Sequence, residues 1–438
     1  VFDMVNRFAE KMVIVRRYLE MIKHLYYQYH KEGWYLEAAA VYCEALSCFS
    51  RELSTVDLQS RGLSDFREYL NALTHSDQLN TLTADVDALK AELASIQYSI
   101  ILRSNYIKIQ KYEGEIDYSR EVEQVFSKFK QGEVKDYKIV LPARSGMDHV
   151  EAGILNGVVK LFPEIFRELD QFCAKHDGFL DQTISRFDRE IQFYIAYLEF
   201  ISKIKELGLK FSYPKILEKE KNIQASAAFD IALANKYFLG DSPIVCNDFS
   251  LNGNERILVV TGPNQGGKTT FARMIGQLHY FACLGCPVSA RKAKLFLFDR
   301  IFTHFEKEED IRSLRGKLKD DLGRIHQSLK EATPRSIFII NEIFTSTTLK
   351  DAVFLGKQIM EEITRLESLC VCVTFIDELS SLGEQTVSMM SMVLPADPTV
   401  RTFKIERKPA DGLSYAICIA EKHKLTYARI KDRIKNES

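Results

Sequence analysis

The residues best suited to chemistry are Gly262-Pro263-Asn264-Gln265-Gly266-Gly267-Lys268-Thr269, a G-x-x-x-x-G-K-[ST] pattern. An apolar run, Arg256-Ile257-Leu258-Val259-Val260, precedes it, and a helical pattern with Phe271, Met274, Ile275 and Leu278 on one face follows. Glycines let such a loop turn its backbone N–H groups inward, with no Cβ in the way, around phosphate oxygens at the positive end of the helix. Lys268 brings a mobile positive charge to the β and γ phosphates, the Thr269 hydroxyl is placed for Mg²⁺, and Thr270 completes the binding set.

Two further apolar runs stop at polar residues. Ser336-Ile337-Phe338-Ile339-Ile340 ends in Asn341-Glu342, and Leu369-Cys370-Val371-Cys372-Val373 ends in Thr374-Phe375. Buried parallel strands read as continuous apolar runs, and ligands sit beyond their carboxyl ends. Glu342 is the candidate to orient an attacking water, because hydrolysis needs an acceptor in line with the γ phosphate. Asn341 stands where a carboxylate normally helps to hold the metal; its amide accepts from a Mg²⁺-bound water but contributes no charge. Thr374 is placed either to sense the γ phosphate or to close its own strand end.

These runs need a sheet and helices to hold them, and the chain is long enough to supply both. Its 438 residues suggest about three domains or two large ones. Hydrophobic residues at 46% and charged ones at 27% predict packed folds rather than disorder. With 59 Lys and Arg against 60 Asp and Glu, a net charge of −1 gives no global pull towards nucleic acid or anionic membrane. The nine cysteines, odd in number and irregular in spacing, fit a reducing compartment, so the expectation is a cytoplasmic protein. Cys283 and Cys286 form a Cys-x-x-Cys, but with no second pair at zinc-ribbon spacing they read as reduced thiols. No run approaches a membrane span, and a start at Val1 reads as a trimmed chain.

Helical spacing predominates up to residue 98, as in Leu63, Phe66, Leu70 and Leu73, and no proline occurs before Pro142. Around Tyr106-Ile107-Lys108-Ile109 the period changes to two, which predicts a small β insert at about 100–150. Helical spacing returns from Glu151 to Leu209. After Tyr213-Pro214 the text turns into strand, glycine loop and helix, so a domain change is expected near 222/223. The expected fold is thus a mostly α-helical domain over 1–222 with a small β insert, then an α/β P-loop domain over 223–438.

Three stretches, Thr261 to Thr269, Asn341-Glu342-Ile343-Phe344-Thr345-Ser346-Thr347-Thr348 and Thr374-Phe375-Ile376-Asp377-Glu378-Leu379, resemble the ATPase domain of MutS mismatch-repair proteins. Asn247-Asp248, Asp299-Arg300-Ile301-Phe302-Thr303 and Gly412-Leu413-Ser414-Tyr415-Ala416-Ile417 agree in order and spacing. The resemblance covers about 225–435 strongly and the preceding helices more weakly. It implies an ABC-type ATPase domain preceded by an elongated, mostly helical lever and core domain. It further implies ATP and Mg²⁺ as cofactors and a homodimer whose ATPase domains complete each other's sites and close on duplex DNA. By the same resemblance Asn247 belongs to the nucleotide site, and the aromatic expected against adenine falls at Ile244.

Several positions depart from the family. Its Asp is Asn341, its histidine at the third strand end is Phe375, and its signature reads Ser313-Leu314-Arg315-Gly316-Lys317-Leu318-Lys319-Asp320, with the serine replaced by Leu318 and Lys317 or Lys319 as substitute charge. The family's Phe-x-Glu mismatch reader has no separate domain here. Phe66-Arg67-Glu68 and Phe166-Arg167-Glu168 lie in helical text and read as core phenylalanines beside solvated charges. The chain thus resembles a shortened branch without mismatch-reading and connector domains. Basic clusters at Arg291-Lys292-Ala293-Lys294, Lys203 to Lys210 and Lys128-Phe129-Lys130 are the candidates for DNA, against the alternative of solvated faces. The leading reading is an ATP-hydrolysing dimer coupled to a helical arm on DNA. The alternative is a nucleotide-binding switch or scaffold with negligible hydrolysis and no direct DNA binding.

Overall fold

The computed structural model describes residues 1–103, 106–115, 146–237, 243–305 and 317–410, with 118, 121, 125, 423, 425–427, 430, 431 and 434. The calls on Lys128-Phe129-Lys130, on Ser313 to Gly316 and on Gly412 to Ile417 lie outside the described residues. The chain divides into two compact units, Val1–Tyr197 and Leu198–Ser438. The boundary expected at 222/223 falls inside the second unit, because the segment before it already pairs there: Ser212 N–H donates to the Val288 carbonyl at 3.1 Å.

The first unit contains α1 (Phe2–Ile22), α2 (Gln28–Ser54), α3 (Arg61–Thr74) and α4 (Asp77–Ser95), a hairpin of β1 (Tyr98–Arg103) and β2 (Tyr106–Lys111), and α5 (His149–Leu161) and α6 (Pro163–Lys175). The long helix α7 (Gln182–Glu206) begins in this unit and runs into the next. The sequence places the helix starts: Ser60 and Ser76 accept from the amides of Leu63 and Leu79, and Asp148 with Glu151 forms a capping box. The expected β insert is an antiparallel pair in the register Tyr98↔Lys111 to Arg103↔Tyr106. Phe8, Met12, Leu36, Tyr42, Leu46 and Phe49 centre the core. Both Phe-x-Glu phenylalanines belong to it: Phe66 stacks on Phe187 at 3.9 Å, and Phe166 meets Tyr29 edge-on at 5.1 Å.

The second unit is α/β. It contains β3 (Lys215–Leu217), β4 (Gln224–Ala228), α8 (Ile231–Tyr237), β5 (Asn247–Ser250), β6 (Ile257–Thr261), α9 (Lys268–Cys283), β7 (Lys292–Phe296) and β8 (Ile301–His304). There follow α10 (Lys317–Glu331), β9 (Ile337–Asn341), α11 (Leu349–Arg365), β10 (Leu369–Val373), β11 (Thr386–Leu394) and β12 (Asp397–Arg407). The main sheet has the order β12-β11-β6-β10-β9-β8, parallel except for β12, and a smaller sheet has the order β3-β7-β4-β5.

Every residue of β6, β9 and β10 is buried, as expected for strands covered on both faces. Side-chain alternation divides them between two cores: Leu258 and Val260 pack with Phe271 and Ile275 of α9, whereas Ile257 and Val259 pack with Ile359 and Met360 of α11. Pairing of Val373 with both Val260 and Asn341 brings the carboxyl ends of the three strands to one level. Among the described residues no helix is long and apolar enough to cross a membrane.

His279 is fully buried in α9; Nδ1 lies 2.9 Å from the Ile275 carbonyl, and Nε2 has no partner. Burial pushes its pKa down to about 4. The unfolded chain therefore takes up the proton first as pH falls below about 6.5, and stability declines from there until the folded pKa is passed. Denaturant unfolding should show about 2 kcal/mol lost between pH 7 and pH 5 through this group, a component absent from His279→Leu.

Candidate nucleotide-binding site

The glycine loop joins the end of β6 to the start of α9. No side chain caps α9: its N-cap is Gly267, at φ +89°, so the first-turn amides are left for a ligand. Several loop carbonyls are taken up by donors. Lys268 Nζ donates to the carbonyls of Gly262 at 2.9 Å and Pro263 at 3.0 Å, Arg401 Nε to that of Asn264 at 3.0 Å, and Ser391 Oγ to that of Gly266 at 2.7 Å. In a trans peptide the carbonyl and the following N–H point to opposite sides. Holding the Asn264 and Gly266 carbonyls against Arg401 and Ser391 therefore turns the amides of Gln265 and Gly267 away from those donors, on residues that line the cavity.

The same contacts explain the glycines. Gly262 has φ +110°, and a Cβ there would lie 2.9 Å from the Ser391 carbonyl oxygen. A Cβ on Gly266 would lie 2.2 Å from Ser391 Oγ and 3.0 Å from the Pro263 oxygen.

The cavity holds about 500 Å³. Asn264, Gln265, Gly266, Gly267, Lys268, Thr269, Thr270 and Glu342 line it, as does Ile244. Lys268 is 4% exposed, and burial pushes its pKa down to about 8; Arg401 adds to this effect and Glu342 opposes it. Its ammonium lies 4.4 Å from the Phe375 ring centroid, so the position of the family's histidine holds a cation–π partner instead of a hydrogen-bonding group. Asp230, whose side chain is buried, pairs with Arg273 of α9 at 2.6 and 3.1 Å and accepts from the Leu233 amide, anchoring α8 beside the loop.

At the β9 end, Thr269 Oγ1 donates to Asn341 Oδ1 at 2.7 Å. Two hard oxygens side by side, next to Glu342, are a donor set that suits Mg²⁺. Glu342 follows in the left-handed region at φ +53°, its amide donating to the Val373 carbonyl at 2.9 Å, and backbone strain of this kind concentrates at functional sites.

Gly262, Pro263 and Asn341 are not among the lining residues, and the side chains of Thr374 and Asn247 are engaged elsewhere. The Thr374 hydroxyl accepts from the Ile376 amide at 3.0 Å, closing its strand end, and Thr374 does not line the cavity. Asn247 does line it, but its carboxamide is spent on β12: Nδ2 donates to the Phe403 carbonyl at 3.1 Å, and Oδ1 accepts from the Ile405 amide at 2.8 Å. The motifs pointed to none of Ser391, Arg401 or Phe403. A fully buried serine in the apolar run Met389-Met390-Ser391-Met392 was the one available signal. Phe403, 49% exposed at the cavity wall against Gly267, has φ +57°, a conformation that costs a non-glycine residue about 1–2 kcal/mol.

Residues 258–433 match MutS domain V. The chain is MutS-like. The DNA mismatch repair protein MutS of Thermotoga maritima is 23% identical over 390 residues, covering 86% of this chain and 45% of that protein. The protein of the same description from Chlorobaculum tepidum is 25% identical over 383 residues, covering 84% of this chain and 42% of its own length. That from Listeria monocytogenes is 28% identical over 254 residues, 55% of this chain and 29% of the relative. The MutS-like chain thus spans less than half the length of these relatives.

Because the Gly266–Ser391 contact is so close, Gly266→Ala should abolish nucleotide binding in a fluorescent-nucleotide titration. Gly266→Ala combined with Ser391→Ala removes the clashing oxygen and should recover part of it. Ser391→Ala alone, losing one neutral hydrogen bond of about 1 kcal/mol, should weaken binding about fivefold.

Proposed function

We propose that the protein binds ATP with Mg²⁺ in this cavity and hydrolyses it. We further propose that nucleotide state controls the closing of two ATPase units of a homodimer, with the helical unit as a lever acting on duplex DNA. The observation that carries the nucleotide reading is the loop itself: carbonyls held by donors from β11 and β12, a helix start at Gly267 with no side-chain cap, and a buried lysine that closes the loop. Lys268 and the loop amides would hold the phosphates, Thr269 and Asn341 the metal, and Ile244 with Phe403 the base, whose flat apolar face suits an aliphatic and an aromatic wall. Bound Mg²⁺ would supply charge neutralisation on the phosphates. Glu342 is the acceptor that orients the attacking water, since it is the carboxylate that lines the cavity at the end of β9.

The dimer and DNA elements rest on similarity to MutS domain V and to proteins described as DNA mismatch repair proteins. Among the described residues of the second unit, Arg291 and Lys292 beside the start of β7 and Lys203, Lys205 and Lys210 are exposed cations that a phosphate backbone could meet, whereas Lys294 faces Glu220 at 3.9 Å. A specific observation also supports the switch reading. Asn341 adds no charge to the metal set, and Phe375 offers the γ phosphate no hydrogen bond.

Steady-state hydrolysis of MgATP, with and without duplex DNA at low salt, separates the two. Lys268→Ala should lose nucleotide binding, whereas Glu342→Gln should retain it and lose turnover by about 10²-fold or more. Full turnover in Glu342→Gln would remove that residue from the mechanism. Wild-type turnover equal to that of Glu342→Gln, with ATP bound, would establish the switch. Asn341→Asp should raise turnover about tenfold or more if one weakened metal ligand limits an enzyme, and little if the protein is a switch.

A further inference from the structure

The strand β12 does not pair evenly with β11. Ser391 is opposite Ile405 and Val393 is opposite Arg401, so one intervening residue of β11 faces three of β12, and residues 402–404 leave the ladder. A bulge of this kind re-aims a side chain, and here the central residue is Phe403, at φ +57° against Gly267. An aromatic residue does not hold a left-handed conformation by itself, so something must over-determine it.

Substitute bonds surround the bulge. Thr402 Oγ1 donates to the Met392 carbonyl at 2.8 Å, Lys404 Nζ donates to the Cys246 carbonyl, and Arg401 is tied to the loop carbonyl of Asn264. The bonds nearest to Phe403 come from one buried side chain. Asn247, at the start of β5, donates to the carbonyl of Phe403 and accepts from the amide of Ile405, so its carboxamide bridges the bulged residue to the point where β12 rejoins the ladder.

We infer that Asn247 is a positioning residue: its carboxamide latches the β12 bulge and thereby fixes the Phe403 ring as the wall that a nucleoside base contacts. This rests on the reading of the cavity as an ATP site. Asn247 then governs the part of the affinity that comes from the base, and the loop governs the part that comes from the phosphates. The resemblance to the family gave Asn247 a direct place in the nucleotide site; the hydrogen bonds give it an indirect one.

Calorimetric titration of the full chain with MgATP and with magnesium tripolyphosphate tests the latch, because the second ligand has no base. The quantity read is the ratio of the two affinities. Phe403→Ala should lower that ratio about tenfold, the worth of one base–aromatic contact. Asn247→Ala should lower it to a similar extent, and the double variant should lower it no further. Asn247→Asp, which keeps the acceptor for Ile405 but not the donor to Phe403, should fall between wild type and Asn247→Ala, and it decides the matter if Asn247→Ala does not fold. A normal ratio in both Asn247 variants with a lowered one in Phe403→Ala would overturn the latch and leave the base contact standing. A normal ratio in Phe403→Ala would overturn the base contact and the latch with it. Equal loss of both ligands in the Asn247 variants would make Asn247 a support of the loop, and additive losses in the double variant would make the two residues independent; either result overturns the proposal.

Discussion

The site depends on the disposal of the glycine loop's carbonyl groups. A loop that offers amides to an anion must put its carbonyl oxygens elsewhere, and a buried carbonyl without a donor is costly. Here the donors are Ser391 on β11, Arg401 on β12 and Lys268 within the loop itself. The two outer strands thus have a role beyond extending the sheet. The pairing of β11 with β6, with Met389 opposite Val260 and Met390 opposite Thr261, brings Ser391 level with the first glycine, and β12 is carried beside the loop by its own pairing with β11. The same closeness excludes any side chain at Gly262 and Gly266, so the glycine spacing and the serine are two sides of one packing constraint.

The electrostatics of the site follow from burial. Lys268 is nearly enclosed, and the loss of water around it lowers its pKa while two carbonyl groups and the face of Phe375 retain it. The surroundings are poorer in negative charge than a carboxylate at 341 would make them, and Glu342 is left as the carboxylate at the end of β9. A buried ammonium whose hydrogen bonds go to neutral carbonyls has a strong electrostatic reason to accept an anion.

In the first unit, packing and capping fix the described elements. Its phenylalanines at 66 and 166 each open a Phe-x-Glu triplet, yet both are bound into aromatic packing, Phe66 on Phe187 and Phe166 on Tyr29. Helical periodicity already indicated this, because each phenylalanine lies on the apolar stripe of its helix. Capping by Ser60, Ser76 and Asp148 likewise sets the helix starts with residues adjacent in sequence.

What the sequence by itself determined was whatever is contiguous: the loop from Gly262 to Thr269, the three all-buried strands, the helical periodicity of the first half and the similarity to MutS. Each is a local pattern whose physical cause lies within a few residues. Tertiary structure decided the roles of residues distant in sequence. Ser391, Arg401 and Phe403 reach the loop across more than a hundred residues through strand register, and the bulge that presents Phe403 arises from unequal residue counts on β11 and β12. Asn247 and Thr374 were found in the sequence as site residues, but only their hydrogen-bond partners reveal that one fastens β12 and the other closes a strand end. Register and bulge depend on which strand lies beside which, a long-range packing outcome that no short window of sequence contains.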